Sequence, residues 1–154
     1  MKKIAVLILI INIIFIITYT TAHEEKNTIR VLLVFAHPDD ETWMKGTIAK
    51  LVNDGYILHL IYVTSGDKGS DRSGRGLKDG LLAKEREKKV INALGTLGVL
   101  NNINFLRFPD GELGEHTSEI SKIIEIKIKQ ISPALVFTFG PGGINVEKWW
   151  PNLD

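Results

Sequence analysis

An α/β fold with a mostly parallel sheet is predicted for this chain of 154 residues, because strand-like and helix-like segments alternate along it. Short apolar runs rich in β-branched residues are separated by segments that repeat apolar side chains at helical spacing. Parallel sheets with crossover helices are encoded in this way. Hydrophobic residues make up 44% of the sequence and charged residues 24%, which indicates one globular domain.

The first strand is predicted over residues 29–35, which are almost entirely apolar. Residues 42–53 repeat apolar side chains three and four apart, and Asp54 and Gly55 then supply a helix stop. Residues 57–64 are rich in β-branched side chains and form the second predicted strand. These segments make up the first strand–helix–strand unit of the sheet.

The second half of the pattern begins with a glycine-rich, charged loop over residues 65–80. Long loops of this kind are usually functional, so we expect it to lie over a site. The elements that follow are a charged helix over residues 81–97, a strand over 103–108, an amphipathic helix over 117–131 and a strand over 135–139. The complete pattern predicts a Rossmann-like three-layer sandwich.

The charge balance excludes some classes of partner. Lys and Arg number 19 and Asp and Glu 18, so the formal charge of +1 gives no reason to expect nucleic acid as a partner. The chain has no cysteine, so a metal would have to be held by His, Asp and Glu. The sequence does not indicate an oligomeric state.

The amino terminus has the layout of an export signal. Lys2 and Lys3 precede residues 4–17, a run that is apolar apart from Asn12. This run is shorter than the roughly 20 residues that a membrane-spanning helix needs. We expect a signal peptide cleaved after Ala22, and the alternative is a retained anchor that associates with a membrane through residues 4–21.

The expected domain organisation has three parts. Residues 1–22 are the signal peptide or anchor, residues 23–28 are a polar linker, and residues 29–154 are the catalytic or binding domain. The protein is therefore expected to be secreted, periplasmic or envelope-attached, and membrane-anchored if the first segment is retained.

Residues 36–41, Ala-His-Pro-Asp-Asp-Glu, follow the first strand directly. Ligands of open α/β sheets bind at the carboxyl ends of the strands. Pro38 fixes its own φ and disfavours helical geometry at His37, so His37 and Asp40 can converge. This pattern indicates an active-site edge.

An imidazole and a carboxylate at this spacing can supply two ligands of a zinc or other divalent-metal site. A catalytic zinc commonly has three protein ligands. Asp39, beside such a metal, would accept a proton from the acidified water. The alternative interpretation is helix capping, with Asp39 or Asp40 as the cap and Glu41 in the positive first turn. Spacing alone leaves both interpretations open.

Four further segments carry a resemblance, together with residues 36–41. They are Thr64-Ser65-Gly66-Asp67 with Gly69, Arg86 to Leu97-Gly98-Val99, Asp110-Gly111-Glu112-Leu113, and Pro133 to Val136. In this order the motifs resemble the PIG-L/LmbE family of zinc-dependent N-acetylglucosaminyl de-N-acetylases. The resemblance covers roughly residues 29–143.

The resemblance implies a hydrolase that removes the N-acetyl group from an N-acetylglucosamine-containing conjugate, releasing acetate and a free amino sugar. It implies Zn²⁺ or another divalent metal, with His37 and Asp40 as ligands and Asp39 as the general base. It also places Arg86 and Asp110 in the sugar pocket. Two alternatives stay open, an exposed helix charge for Arg86 and a turn-forming role for Asp110.

Members of this family carry a further histidine element after the glycines that end at Gly143, and this sequence has none there. The third metal ligand is therefore not identified, and Glu147 and Asp154 do not stand at matching positions. His59 is expected to be a structural strand residue and His116 an exposed loop residue. The C-terminal part of the fold is expected to be missing, and the alternative function is an inactive remnant or a weak sugar-binding domain.

Overall fold

The computed structural model describes residues 29–140, together with Asn12. The rest of the predicted signal peptide or anchor, the linker over residues 23–28, and Glu147 and Asp154 lie outside the described residues. The described elements are, in order, β1 Arg30–Phe35, a 3-10 helix Asp40–Met44, α1 Lys45–Asn53, β2 Ile57–Thr64, α2 Asp79–Thr96, β3 Ile103–Phe108, α3 Thr117–Ile131 and β4 Leu135–Thr138. Within residues 29–140, no helix combines the length and the apolar composition that crossing a bilayer requires.

The four strands found in the described residues form one parallel sheet in the order β3-β2-β1-β4. The chain first moves outward from β1 through β2 to β3, and α3 then returns it to the opposite side of β1. The direction of winding therefore changes between β1 and β4. In open α/β sheets the crevice at this switch point, outside the carboxyl ends of the strands, is the usual ligand site.

The core lies on both faces of β1 and β2. On one face the sheet packs against α1 and α2 through residues such as Ile48 and Leu94. On the other face Leu32 and Ile61 pack against α3, including Ile124. Helices thus cover both faces of a central parallel sheet, and the predicted α/β sandwich is confirmed.

The first helix differs from the prediction at its start. The expected helix over residues 42–53 is divided into the 3-10 helix Asp40–Met44 and α1. Backbone hydrogen bonds from Asp40 to His37 and from Thr42 to Asp39 tighten this first turn. The hexapeptide after β1 therefore forms a compact turn before regular α-helix begins.

Candidate active site

The predicted convergence of His37 and Asp40 is present in the structure. Asp40 Oδ2 accepts a hydrogen bond from the His37 backbone N–H at 2.8 Å, and it lies 3.9 Å from His37 Nδ1. The side chain of His37 is 40% exposed and that of Asp40 is 18% exposed. Both polar groups therefore face a region that a small ligand or an ion can reach.

Asp39, between these residues, has an unusual backbone conformation. Its φ of 117° and ψ of −16° place it in the left-handed region, which is strained for a residue other than glycine. Such a conformation costs about 1–3 kcal/mol and persists where surrounding contacts enforce it. Those contacts are the hydrogen bonds from Asp39 N–H to Glu41 Oε2 and from Thr42 N–H to the Asp39 carbonyl, both 3.0 Å. The carboxylate of Asp39 is exposed.

The capping interpretation is wrong for the two aspartates. Asp39 occupies the position before the 3-10 helix, but its side chain makes no capping hydrogen bond. The Asp40 carboxylate bonds backward to His37 N–H. Glu41 lies in the first turn, as expected, where the positive end of the helix favours negative charge, and Asp40 lies there as well.

Glu41 is buried and joins the hexapeptide to β2. Its Oε2 accepts a hydrogen bond from the hydroxyl of Tyr62 at 3.0 Å. Burial, followed by the charge of Glu41, raises the pKa of Tyr62 far above its ordinary value, so the hydroxyl stays protonated and donates. Sequence reasoning did not identify Tyr62, because nothing in an alternating strand marks one tyrosine as the partner of a distant glutamate.

Asp110 approaches His37 from the end of β3. Its Oδ1 lies 2.9 Å from His37 Nε2, and its backbone N–H donates to Asp67 Oδ1 at 3.2 Å. Gly111 has a φ of 87°, so the expected turn is also present. A carboxylate that holds one ring nitrogen of a histidine orients that ring for metal binding through the other. The predicted contact of Asp110 with substrate stays a prediction.

Arg86, on α2, is half-buried beneath the loop that follows β2. A Cβ added to Gly66 would lie 2.5 Å from Arg86 Nη1, and one added to Gly69 would be closer still to Nη2. The glycines therefore allow the loop to lie directly on the guanidinium, which donates to the Ser70 carbonyl at 3.3 Å. The exposed-charge alternative for Arg86 does not describe this packing.

Arg86 and Asp39 line one cavity of about 340 Å³. Arg72 and Lys89 add positive charge to its wall, and Leu82 adds an apolar surface. The loop over residues 65–78 supplies part of this lining, and its place over a functional site stays a prediction. The lining of this cavity thus combines carboxylate, guanidinium and apolar groups.

The residues at the end of β1 fit part of a metal centre. Zinc binds His and Asp donors at about 2.0–2.2 Å, which is compatible with donor atoms 3.9 Å apart such as those of His37 and Asp40. In the described part of the chain, no group of three or more His, Asp and Glu side chains could hold a metal ion. The donor chemistry therefore fits two ligands of a divalent-metal site.

The other described histidines lie elsewhere. His59 pairs with Leu32 within the sheet, and burial lowers its pKa below the ordinary value. The ring of His116 packs on Phe108 with 5.3 Å between centroids. His59 is a strand residue, as expected, whereas His116 is half-buried against Phe108 and not fully exposed.

Residues 32–148 match PIG-L, the GlcNAc-PI de-N-acetylase family. Because this match covers most of the chain, the chain belongs to the PIG-L family. This confirms the resemblance found in the motifs after β1, β2 and β3.

Two curated relatives and one solved structure illustrate the similarity. A probable N-acetyl-alpha-D-glucosaminyl L-malate deacetylase 2 from Bacillus anthracis is 31% identical over 121 residues, covering 76% of this chain and 53% of that protein. The 1D-myo-inositol 2-acetamido-2-deoxy-alpha-D-glucopyranoside deacetylase of Mycolicibacterium vanbaalenii is 30% identical, with 75% and 48% covered. The N,N'-diacetylchitobiose deacetylase from Pyrococcus horikoshii superposes with a TM-score of 0.67 at 31% identity, covering 75% of this chain and 42% of that one.

The chain spans about half the length of the curated relatives that it matches. A 4-carboxy-2-hydroxymuconate hydratase from Pseudomonas putida shares the fold, with a TM-score of 0.62 at 19% identity. The fold alone therefore does not determine the reaction, which depends on the residues of the site.

Proposed function

We propose that this chain is a metal-dependent de-N-acetylase that removes the N-acetyl group from an N-acetylglucosamine-containing conjugate. The observation that carries the proposal is the placement of His37, Asp39 and Asp40 in one strained turn at the switch point of the sheet. Relatives described as deacetylases of N-acetylglucosaminyl malate and of an acetamido-glucopyranoside support the same reaction class. The products are acetate and a free amino sugar.

His37 and Asp40 would hold Zn²⁺ or another divalent metal. When bound, the metal supplies Lewis acidity, which acidifies water and polarises the acetamide carbonyl. Asp110 would keep the His37 ring in orientation through the contact at Nε2, which leaves Nδ1 on the side of Asp40. A catalytic zinc commonly has three protein ligands and keeps one position open for water, and the described residues supply two ligands.

Asp39 would act as the general base. Its carboxylate is exposed to the cavity, and its backbone is held by Glu41 and Thr42. It takes a proton from the attacking water and delivers a proton to the departing amine nitrogen, so the carboxylate is regenerated in each cycle. Its fixed backbone limits the positions that this carboxylate can adopt.

Arg86 would bind the conjugate. Its guanidinium lines the cavity beside Asp39 and can donate to sugar hydroxyls or to an anionic group of the conjugate. The loop glycines leave space for this side chain beneath the loop. Asp110 is proposed as a second substrate contact on the family resemblance alone, since its Oδ1 lies against His37 Nε2.

Export is part of the proposal, with residues 1–22 as a signal peptide or an anchor. The supporting feature is the basic start followed by an apolar run in the sequence. Mature protein beginning at His23 in the extracellular fraction supports cleavage. Full-length protein in the membrane fraction supports the anchor, and full-length protein in the cytoplasm contradicts export.

The catalytic test uses the full chain loaded with Zn²⁺ and two probes, N-acetylglucosaminyl malate and N,N'-diacetylchitobiose. Acetate and new primary amine should appear in equal amounts. Asp39→Asn should lose this activity, whereas Asp54→Asn, which alters an exposed ion pair at the end of α1, should keep it. A zinc-loaded chain that releases no acetate from either probe contradicts the proposed activity.

A further inference from the structure

An extra residue interrupts β3 just before the turn that carries Asp110. Tyr62 of β2 pairs with Phe105 and Thr64 pairs with Phe108, so three steps along β3 match two along β2. Arg107 lies at this bulge with a φ of 61°, a left-handed conformation that is uncommon for arginine. A bulge of this kind redirects the residues that follow it, so its geometry determines where Asp110 points.

Glu87, on α2, binds the side chain of the bulged residue. Arg107 Nε donates to Glu87 Oε1 at 2.9 Å, and Arg107 Nη2 donates to Oε2 at 3.0 Å. A bidentate pair fixes the orientation of both groups more closely than a single contact does. The hydrogen bonds from Arg107 lower the pKa of Glu87, so its carboxylate is charged at neutral pH.

The same carboxylate also binds the segment that follows β2. Buried Ser65 donates from Oγ to Glu87 Oε1 at 2.6 Å. Ser65 precedes Asp67 by two residues, and Arg107 precedes Asp110 by three. Asp67 Oδ1 accepts the Asp110 N–H at 3.2 Å, so both segments held by Glu87 meet at Asp110.

We propose that Glu87 is a positioning residue that, through Ser65 and Arg107, fixes Asp110 against His37. Glu87 acts on His37 indirectly. The contact that reaches His37 is made by Asp110, whose Oδ1 lies 2.9 Å from His37 Nε2. This inference rests on the proposed function only for the expected change in zinc affinity. The effect of Glu87 on the contact between Asp110 and His37 does not depend on it. Partners that orient a metal-binding histidine change metal affinity when they are disturbed.

The experiment compares three variants of the full chain. Glu87→Gln keeps the size of the side chain and removes its charge. Arg107→Gly removes the guanidinium, and with it the ion pair to Glu87. Glycine readily adopts the left-handed backbone of this position, so the bulge itself should be retained. Glu125→Gln is the matched control, because Glu125 pairs with Lys129 on the exposed side of α3.

Two quantities are measured besides the melting temperature. The first is the ¹⁵N chemical shift of His37 Nε2 in the metal-free chain, which reports its hydrogen bond to Asp110. The second is the dissociation constant of Zn²⁺, which should rise roughly tenfold in both Glu87→Gln and Arg107→Gly. The control should match the parent in both, and Arg107→Gly should melt near the parent temperature.

An unchanged His37 signal in folded Glu87→Gln and Arg107→Gly overturns the proposal, as does an equal change in Glu125→Gln. If Glu87→Gln does not fold, the His37 signal of Arg107→Gly alone tests the proposal. If the parent chain binds no zinc or releases no acetate, the proposed function fails, but the His37 signal still tests the positioning role.

Discussion

The hydroxyl of Tyr62 donates a hydrogen bond to Glu41 at 3.0 Å, inside the sheet–helix interface and next to the strained turn of Asp39. The ring of Tyr62 stacks on Phe105 with 5.1 Å between centroids. The hydroxyl is thus a polar group in an aromatic environment, and it meets a buried carboxylate that also holds Asp39. Glu41 connects the core of the domain to the proposed general base.

Replacement of Tyr62 by phenylalanine should destabilise the fold by about 1–3 kcal/mol, because Glu41 would lose a donor while staying buried. The aromatic packing is kept, so the loss reports the hydrogen bond. The free energy of unfolding in urea measures it. Tyr56→Phe is the control, since Tyr56 packs against the same core from a half-buried position and should change stability little. Equal losses in the two variants would contradict this role of the hydroxyl.

Asp39→Asn and His37→Ala should distinguish the role of general base from the role of metal ligand. Asn tolerates the left-handed backbone, so Asp39→Asn should retain bound zinc and lose about 10²–10⁴-fold in kcat. His37→Ala should lose zinc and activity together, because it removes a ligand. Metal content by atomic spectroscopy and acetate release measure the two effects. Equal zinc loss in both variants would reverse the assignment of roles.

Gly69→Ala should weaken binding of the conjugate, because its Cβ would collide with the guanidinium of Arg86. KM should rise about tenfold, on the scale of one lost charge-assisted hydrogen bond, and zinc content should not change. Gly80→Ala is the matched control, since nothing lies within 4 Å of a Cβ placed there. A rise in KM for both variants, or for neither, would argue against the placement of Arg86 at the substrate.

His59 should make folding stability depend on pH. Burial lowers its pKa below the ordinary 6.5, and the charges of Arg30 and Lys127 lower it further. The unfolded chain therefore takes up a proton at a higher pH than the folded chain does. Stability should fall as the pH decreases through 6.5 and level off below the folded-state pKa.

His59→Leu should remove this dependence. Urea midpoints of the parent and of the variant, measured between about pH 7.5 and pH 5, test the expectation. If the two curves run parallel over this interval, another group is responsible for the dependence.

Much of the fold was predictable because its signals are local. Apolar periodicity located the strands and helices, and the three-residue spacing of His37 and Asp40 predicted their convergence. The bulge at Arg107 and the partners of Glu87 were not predicted, since they join residues 20 or more positions apart. No periodic pattern marks such pairs. The approach of Asp110 to the site followed only from the family resemblance, and the structure adds its contact with His37.

The left-handed backbone of Asp39 also means that this part of the site is ordered when the protein folds. Its conformational cost falls on folding, where burial of β1 and β2 can offset it, and is not repeated each time a conjugate arrives. A base held in this way has little reorganisation left to undergo during a reaction. Proteins that graft the hexapeptide onto another strand should therefore need an equivalent of Glu41 and Tyr62 before the aspartate adopts the same geometry.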